Sequence, residues 1–599
     1  MFHALKARLT ARTSIAALLA AAPLLLAAPA ASAQDALATA PAGQAMALSA
    51  GPQSASDSLA VNVVRRMVAK GLLSQADADD LIAGAEADTA RAKAASAPIQ
   101  QIPSASAEAG TIRVPYIPDN VRAEIKDQLK SEMSQQAKDE HWAAPDTVPD
   151  WVSRLTISGD MRFRDENRAF DKNNANDFVN FNAINGGSPF NANGTANPSI
   201  LNSTQNRNLQ QIRARLGFDF QINDQVSTTI RVASGNDNGP ISTIQTLGAD
   251  NTKFQLWLDQ AYITYKLLPG AALVFGRAPN PFVSTEVLWK QNDFQMDGIY
   301  GHYEHDIPWM KGLVGSATVG AFPLLYADNA LPTALSTDKP KSSTDQYLFA
   351  GQIGAAYDVT SRLNASLNVA YYDYSNVQGQ LSAPCLNTSD FCETDGSRPA
   401  FMQKGNTLFA LRDLVAADPS STAVPQYFGL ASNYRDLDLL GRLDYAVNDR
   451  MHVVFTGDYV KNLAYDAAAI LNRNPVTNVG CSVAVAAGSS CASSGGATTL
   501  QSGDTAWLAR VAVGAPKIAN RGDWNLSLAY AHIDPDAVVD AYDDKDFRLG
   551  GTNSKGWILE GDLGLAKNTW MVIKYLSADV VYGAPYSVDV LQLDLNTRF

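Results

Sequence analysis

Residues 209–223 read LQQIRARLGFDFQIN. Arg213, Arg215, Asp219 and Gln221 fall on one parity, and Ile212, Ala214, Leu216, Phe218, Phe220 and Ile222 on the other. Successive side chains of a β-strand point to opposite faces, so this stretch is a strand between a wet side and an apolar side. Two architectures satisfy it. In a soluble sandwich the arginines face bulk water and the phenylalanines a core. In a membrane barrel the arginines face a hydrated lumen and the phenylalanines face lipid.

The rest of the chain decides between them. Period two begins near residue 150 with RLTISGDMRFR (154–164) and continues to the end. Further alternating runs fall at 225–235, 255–268, 271–277, 293–305, 312–324, 347–359 and 361–374. Others follow at 434–447, 449–462, 503–516, 522–534, 553–567, 569–581 and 586–599. The total is about sixteen strands, with one hairpin either way. Their connections alternate in length. NDQ (223–225), PG (269–270), VTS (359–361), ND (448–449) and KN (567–568) are minimal turns. Between them lie long polar loops at 166–208, 236–253, 325–346, 375–433, 463–502 and 540–552. A Greek-key sandwich has no reason to sort its loops this way, whereas an outer-membrane barrel keeps turns on one side and loops on the other. The expected fold is all-β: a transmembrane antiparallel barrel over 151–599. Tyr265, Tyr371, Tyr445, Trp507, Tyr530, Trp557 and Tyr575 sit on the apolar parity, as girdle residues at a membrane interface should.

Upstream of the barrel the pattern differs. Lys6, Arg8 and Arg12 precede the apolar run SIAALLAAAPLLLAA, and Ala31-Ser32-Ala33 precedes Gln34, which reads as a cleaved export signal over 1–33. Residues 34–150 read as a helical and linker extension on the periplasmic side. Val61, Val64, Met67, Val68, Leu72, Leu81 and Ile82 give helical spacing broken at Gly71. Val121, Ile125, Leu129 and Met133 then form one apolar stripe of coiled-coil type on a charged rod, which needs a partner surface. Losing the leader takes the formal net charge from −13 to −16. Such an acidic chain without basic runs excludes nucleic acid as a partner class.

Four cysteines remain, Cys385 with Cys392 and Cys481 with Cys491 as local pairs inside polar loops. In an exported chain two loop-closing disulfides are the expected use, although four cysteines permit three connectivities. Neither pair has Cys-x-x-Cys spacing and no histidine lies near, so no metal site is expected, and no cofactor. No nucleophile elbow, zinc-protease box or phosphate loop occurs, and His141, His302, His305, His452 and His532 are scattered. An enzyme is not expected.

Several stretches resemble the putative porin family of Gram-negative outer-membrane proteins. They are IRVPYIPDNVR (112–122), GDMRFRDENR (159–168), LDQAYITY (258–265), FGRAPNPF (275–282) and the terminal aromatic strand. The resemblance covers about residues 110–599, and the phosphate-selective porin O/P type is a more distant relative. It implies a diffusion channel for small hydrophilic solutes in outer-membrane lipid, with a homotrimer among the expected assemblies. The terminal VLQLDLNTRF resembles the signal read by the outer-membrane assembly machinery.

The functional residues are expected in the lumen. Arg162 and Arg164 on strand one, Arg213 and Arg215 on strand two, and Arg231 on strand three form an inward row, with Asp219 on the same parity. Asp436, Asp438, Asp444, Glu560 and Asp562 are inward acids on later strands. Charge lining an aqueous path selects solutes by sign and size, so the arginine row is expected to give some handling of anionic solutes, and equally it can stiffen the wall by cross-strand bridges. Loop 166–208 or loop 236–253 is expected to fold inward. The competing reading is a structural or adhesive barrel that displays its loops and tethers the envelope through the upstream helices.

Overall fold

The computed structural model describes residues 150–599 except 237–238, 290–292, 328–344, 389–390 and 484–490. The expected export signal and the expected helical extension, up to residue 149, lie outside the described residues. Sixteen long strands make up the body. They are β1 (Leu155–Phe170), β2 (Arg207–Gln221), β3 (Val226–Ala233), β4 (Trp257–Leu268), β5 (Ala271–Pro279), β6 (Gln295–Asp306), β7 (Leu313–Leu325) and β8 (Gln346–Thr360). The second half comprises β9 (Leu363–Ser375), β10 (Arg435–Asn448), β11 (Met451–Asn462), β12 (Thr505–Gly514), β13 (Trp524–Ile533), β14 (Ser554–Ala566), β15 (Thr569–Val580) and β16 (Ser587–Arg598).

Each strand pairs antiparallel with the next, and β16 pairs back onto β1, as at Asp594↔Arg164. The sheet is a closed barrel. Closure leaves no unpaired edge, which is what a sheet needs where no water can satisfy backbone groups. The expected strand count and boundaries hold to within a few residues. One end carries tight turns. Gly270 takes φ +81° in the β4–β5 turn, and a Cβ there would lie 2.1 Å from the Glu304 carbonyl oxygen, so only glycine fits.

The faces are inverted relative to a soluble protein. Adjacent residues on β7 show it: Thr318, pointing inward, is 5% exposed, whereas Val319, pointing outward, is 68% exposed. The outward face is a continuous apolar surface that includes Ile157, Phe163, Ile353, Leu443 and Phe455. Leaving such an area to water is unfavourable by about 25 cal/mol per Å², and lipid removes that cost. Tyr371, Trp507, Tyr530 and Trp557 mark the belt nearer the long loops. Trp507 and Tyr530 are 5.4 Å apart between ring centroids, and Tyr530 and Trp557 are 4.9 Å apart. Tyr265 and Tyr445 mark the belt nearer the short turns, and Tyr575 also stands on the outward parity.

The largest apolar core lies inside the barrel at the long-loop end. Loop segments contribute Trp289, Met402, Phe428, Val538 and Phe547, and strands supply Tyr372 and Val590 beneath them. Cys385–Cys392 and Cys481–Cys491 are joined as disulfides in loops at this same end. Hydrophobic burial here is thus between loops, where a sandwich would place it between sheets.

Candidate lumen site

Strand β5 stops at Pro279, and Pro281 follows. Neither ring nitrogen can donate to a ladder, so the chain leaves the wall at this point. Asn280 Oδ1 accepts from the Phe282 amide at 3.0 Å and turns the backbone inward. The connection that follows, described over 280–289 and 293–294, then crosses the lumen. Its contacts reach opposite walls, while loops 166–208 and 236–253 also turn inward at the mouth. Those two contribute Ile184 and Ile241 to the mouth core.

The crossing loop is fixed at four places. The Val283 amide donates to Gln352 Oε1 at 2.9 Å, and Gln352 Nε2 donates back to the Val283 carbonyl at 2.8 Å. The Thr285 hydroxyl donates to Asp458 Oδ2 on β11. Glu286 pairs with Arg510 of β12 at 2.6 Å. At its far end Asp293 pairs with Arg213 at 2.9 Å and with Arg215 at 3.3 Å, both on β2. Trp289 is fully buried among Phe294, Tyr372 and Tyr542, with ring centroids 4.7, 5.8 and 5.2 Å away. The loop therefore ties the β11–β12 wall to the β2 wall.

Every arginine of the expected row points inward, and every one is paired. Arg162 donates to Asn596 Oδ1 at 2.9 Å and lies 3.5 Å from Asp594. Arg164 meets Asp594 through both Nε and Nη2, at 2.7 and 2.8 Å, and reaches Asp546 of the β13–β14 loop at 3.1 Å. Arg213 and Arg215 share Asp160 at 3.0 and 2.7 Å. Arg231 pairs with Asp259 at 2.6 Å. Asp219 accepts from the Thr229 hydroxyl at 2.5 Å. Bidentate and shared pairs of this kind fix guanidinium positions as well as charge.

The acids on later strands divide into two groups. Asp444, Glu560 and Asp562 face water: Asp444 takes Arg442 at 3.0 Å and His452 at 2.6 Å, and Glu560 takes Lys574 at 3.3 Å. Asp436 and Asp438 point inward as their parity requires, but the mouth loops cover them. They are 0% and 1% exposed, so they belong to the covered interior and do not line the open lumen. Parity reports the face and says nothing of what a distant loop lays over it.

Between the crossing loop and the short-turn end lies a polar cavity of about 630 Å³. Arg162, Glu286, Arg510, Asp562, Lys574 and Trp570 line it. Arg442 and Arg510 are lumen cations that the sequence reading passed over, although their even parity on β10 and β12 marked them as inward. No group of three or more His, Cys, Asp or Glu among the described residues is placed to hold a metal ion.

A family model described as "Putative porin" matches residues 57–599. Among solved structures the chain is similar to the outer membrane channel DcaP of Acinetobacter baumannii, at 13% identity over 74% of this chain and 97% of that one, TM-score 0.34. It is also similar to Salmonella typhi OmpF in complex with daunomycin, at 10% identity over 74% and 97%, TM-score 0.35. Pseudomonas putida OprB matches at 9% identity over 75% and 95%, TM-score 0.37. No curated protein matches.

Proposed function

The chain belongs to the putative porin family and is a porin-type channel of the outer membrane, and from that premise we propose how it conducts. Small hydrophilic solutes diffuse passively through the hydrated lumen, with no chemical step and no cofactor. Passage is narrowed where 280–294 crosses, and the charged wall below it selects by sign and size. The observation that carries this reading is the polar, charge-lined cavity of about 630 Å³ inside a closed, lipid-faced barrel. The lining charges named in the sequence act in two ways. Arg162, Asp444, Glu560 and Asp562 meet solute. Arg164, Arg213, Arg215 and Arg231 stiffen the wall and hold the loop, with Asp219 tied to Thr229.

On the same reading residues 1–33 are an export signal, 34–150 a periplasmic helical extension and 151–599 the barrel. The assembly machinery of the outer membrane inserts it, and three copies associate. A second reading is favoured by the apolar core that fills the long-loop end: a plugged barrel serving as a scaffold for its loops. Recording from the full chain in a planar bilayer separates them. Stepwise current proportional to salt supports the channel. Silence from protein that still shows the heat-dependent gel mobility of a folded barrel supports the scaffold.

A further inference from the structure

The register places a row of alternating hydroxyls and guanidiniums across four adjacent strands. Ser366 on β9 stands opposite Arg442 on β10, Arg442 opposite Thr456 on β11, and Thr456 opposite Arg510 on β12. All four line the cavity below the crossing loop. Neighbouring strands are about 4.8 Å apart, so the two arginine backbones stand roughly 10 Å apart with the threonine between them. No carboxylate stands in register with these four residues; Glu560 lies in the next row, on the same cavity. Asp444 sits two residues nearer the short turns, and Glu286 is on the loop.

The guanidiniums also keep donors in hand. Arg442 uses Nη2 on Asp444, is half-exposed, and shares that carboxylate with His452. Arg510 uses Nη2 on Glu286. A guanidinium has five N–H donors in a planar fork that matches a carboxylate or phosphate edge. Ser366 and Thr456 add hydroxyl donors from the same face. An acceptor-only group settling into this row would exchange water for charge-assisted hydrogen bonds from both sides.

We propose that Ser366, Arg442, Thr456 and Arg510 form a binding subsite for the carboxylate or phosphate group of a small anionic solute, on the wall across the lumen from Arg162 and Arg213. The proposal rests on the channel reading and names the solute chemistry that reading leaves open. Binding is weak enough for release, because the site is open to the cavity and holds one oxyanion group at a time.

The test is block of chloride current by inorganic phosphate, with the full chain in a planar bilayer. Phosphate should reduce the current saturably. Arg442→Gln should raise the half-blocking concentration about tenfold, the loss expected for one charged hydrogen bond. Thr456→Val should raise it by a smaller factor, and Arg442→Lys should fall between wild type and Arg442→Gln. Should Arg442→Gln fail to fold, Thr456→Val and Arg442→Lys carry the same comparison. Chloride current that phosphate does not block, or blocks equally in every variant, overturns the subsite and leaves the channel standing. Absence of current from folded wild type overturns both. The same block series repeated with acetate distinguishes the two headgroups: a lower half-blocking concentration for acetate assigns the row to carboxylates, and the reverse order assigns it to phosphates.

Discussion

Arg164 on β1 and Asp594 on β16 face each other in register, joined by two parallel hydrogen bonds of 2.7 and 2.8 Å across the seam where the first and last strands meet. Both side chains are about 95% buried, and Asp546 of the β13–β14 loop completes the cluster. The bond that closes the barrel is therefore also a bond that seats a mouth loop.

Removing one partner of such a buried pair leaves the other charge stranded, at a cost of about 3–5 kcal/mol. Arg164→Ala should lower the urea midpoint of the detergent-folded protein and the temperature at which its gel mobility shifts. The double variant Arg164→Met, Asp594→Leu should recover part of that loss, because Asp594 is no longer stranded while Asp546 and Glu166 still lose their contacts to Arg164. A single variant as stable as wild type would mean the pair contributes nothing at the seam.

The crossing loop should behave as the element that sets pore size. Thr285→Val together with Glu286→Gln removes its ties to Asp458 and Arg510 while leaving its Gln352 and Asp293 ties intact. Single-channel conductance should rise and current noise should increase, since the middle of the loop gains freedom. Unchanged conductance and noise would place the narrowest point elsewhere.

The packed β13–β14 loop should loosen as pH rises. Burial pushes the Asp540 carboxyl up to about 7, with hydrogen bonding from Gln403 and the charge of Lys404 opposing it only in part. In the open loop the same carboxyl has an ordinary value near 4. An acid whose packed-state value is raised stabilises packing fully below its open-state value and loses that contribution as pH climbs through the packed-state value. Protease cleavage within 534–553 should therefore speed up between about pH 4 and 7. Asp540→Asn should flatten that profile, and a profile identical to wild type would exclude Asp540 as its source.

The two disulfides should act on loops and leave the barrel alone. Each closes a short span, with a sequence separation of 7 for Cys385–Cys392 and 10 for Cys481–Cys491, so each constrains local chain entropy. Replacing both pairs by serine should raise proteolysis in 375–433 and 463–502 severalfold. The gel-shift temperature of the barrel should stay within a few degrees of wild type. A large fall would show that the loop staples bear on strand pairing.

The strands were legible because their signal is local: period two on β2 is visible in fifteen residues, and Pro269-Gly270 announces its turn unaided. The choice of crossing loop was not, since it depends on partners far apart in sequence, Asp293 with Arg213 and Glu286 with Arg510. Its one local trace is Pro279-Asn280-Pro281, which ends β5 early. Asp436 and Asp438 show the complementary gap. Their inward face could be read from Leu437 and Leu439 beside them, but their dryness comes from the loops of the mouth core laid over them. The Ser366–Arg442–Thr456–Arg510 row needed the register of four strands, which no single strand carries.

The shared core at the long-loop end has a practical consequence for using this barrel as a display scaffold. Foreign peptides grafted into 534–553 would have to displace interior packing, because that connection is buried along most of its length. Insertion tolerance should concentrate instead at the exposed tips near 192–197 and 415–420.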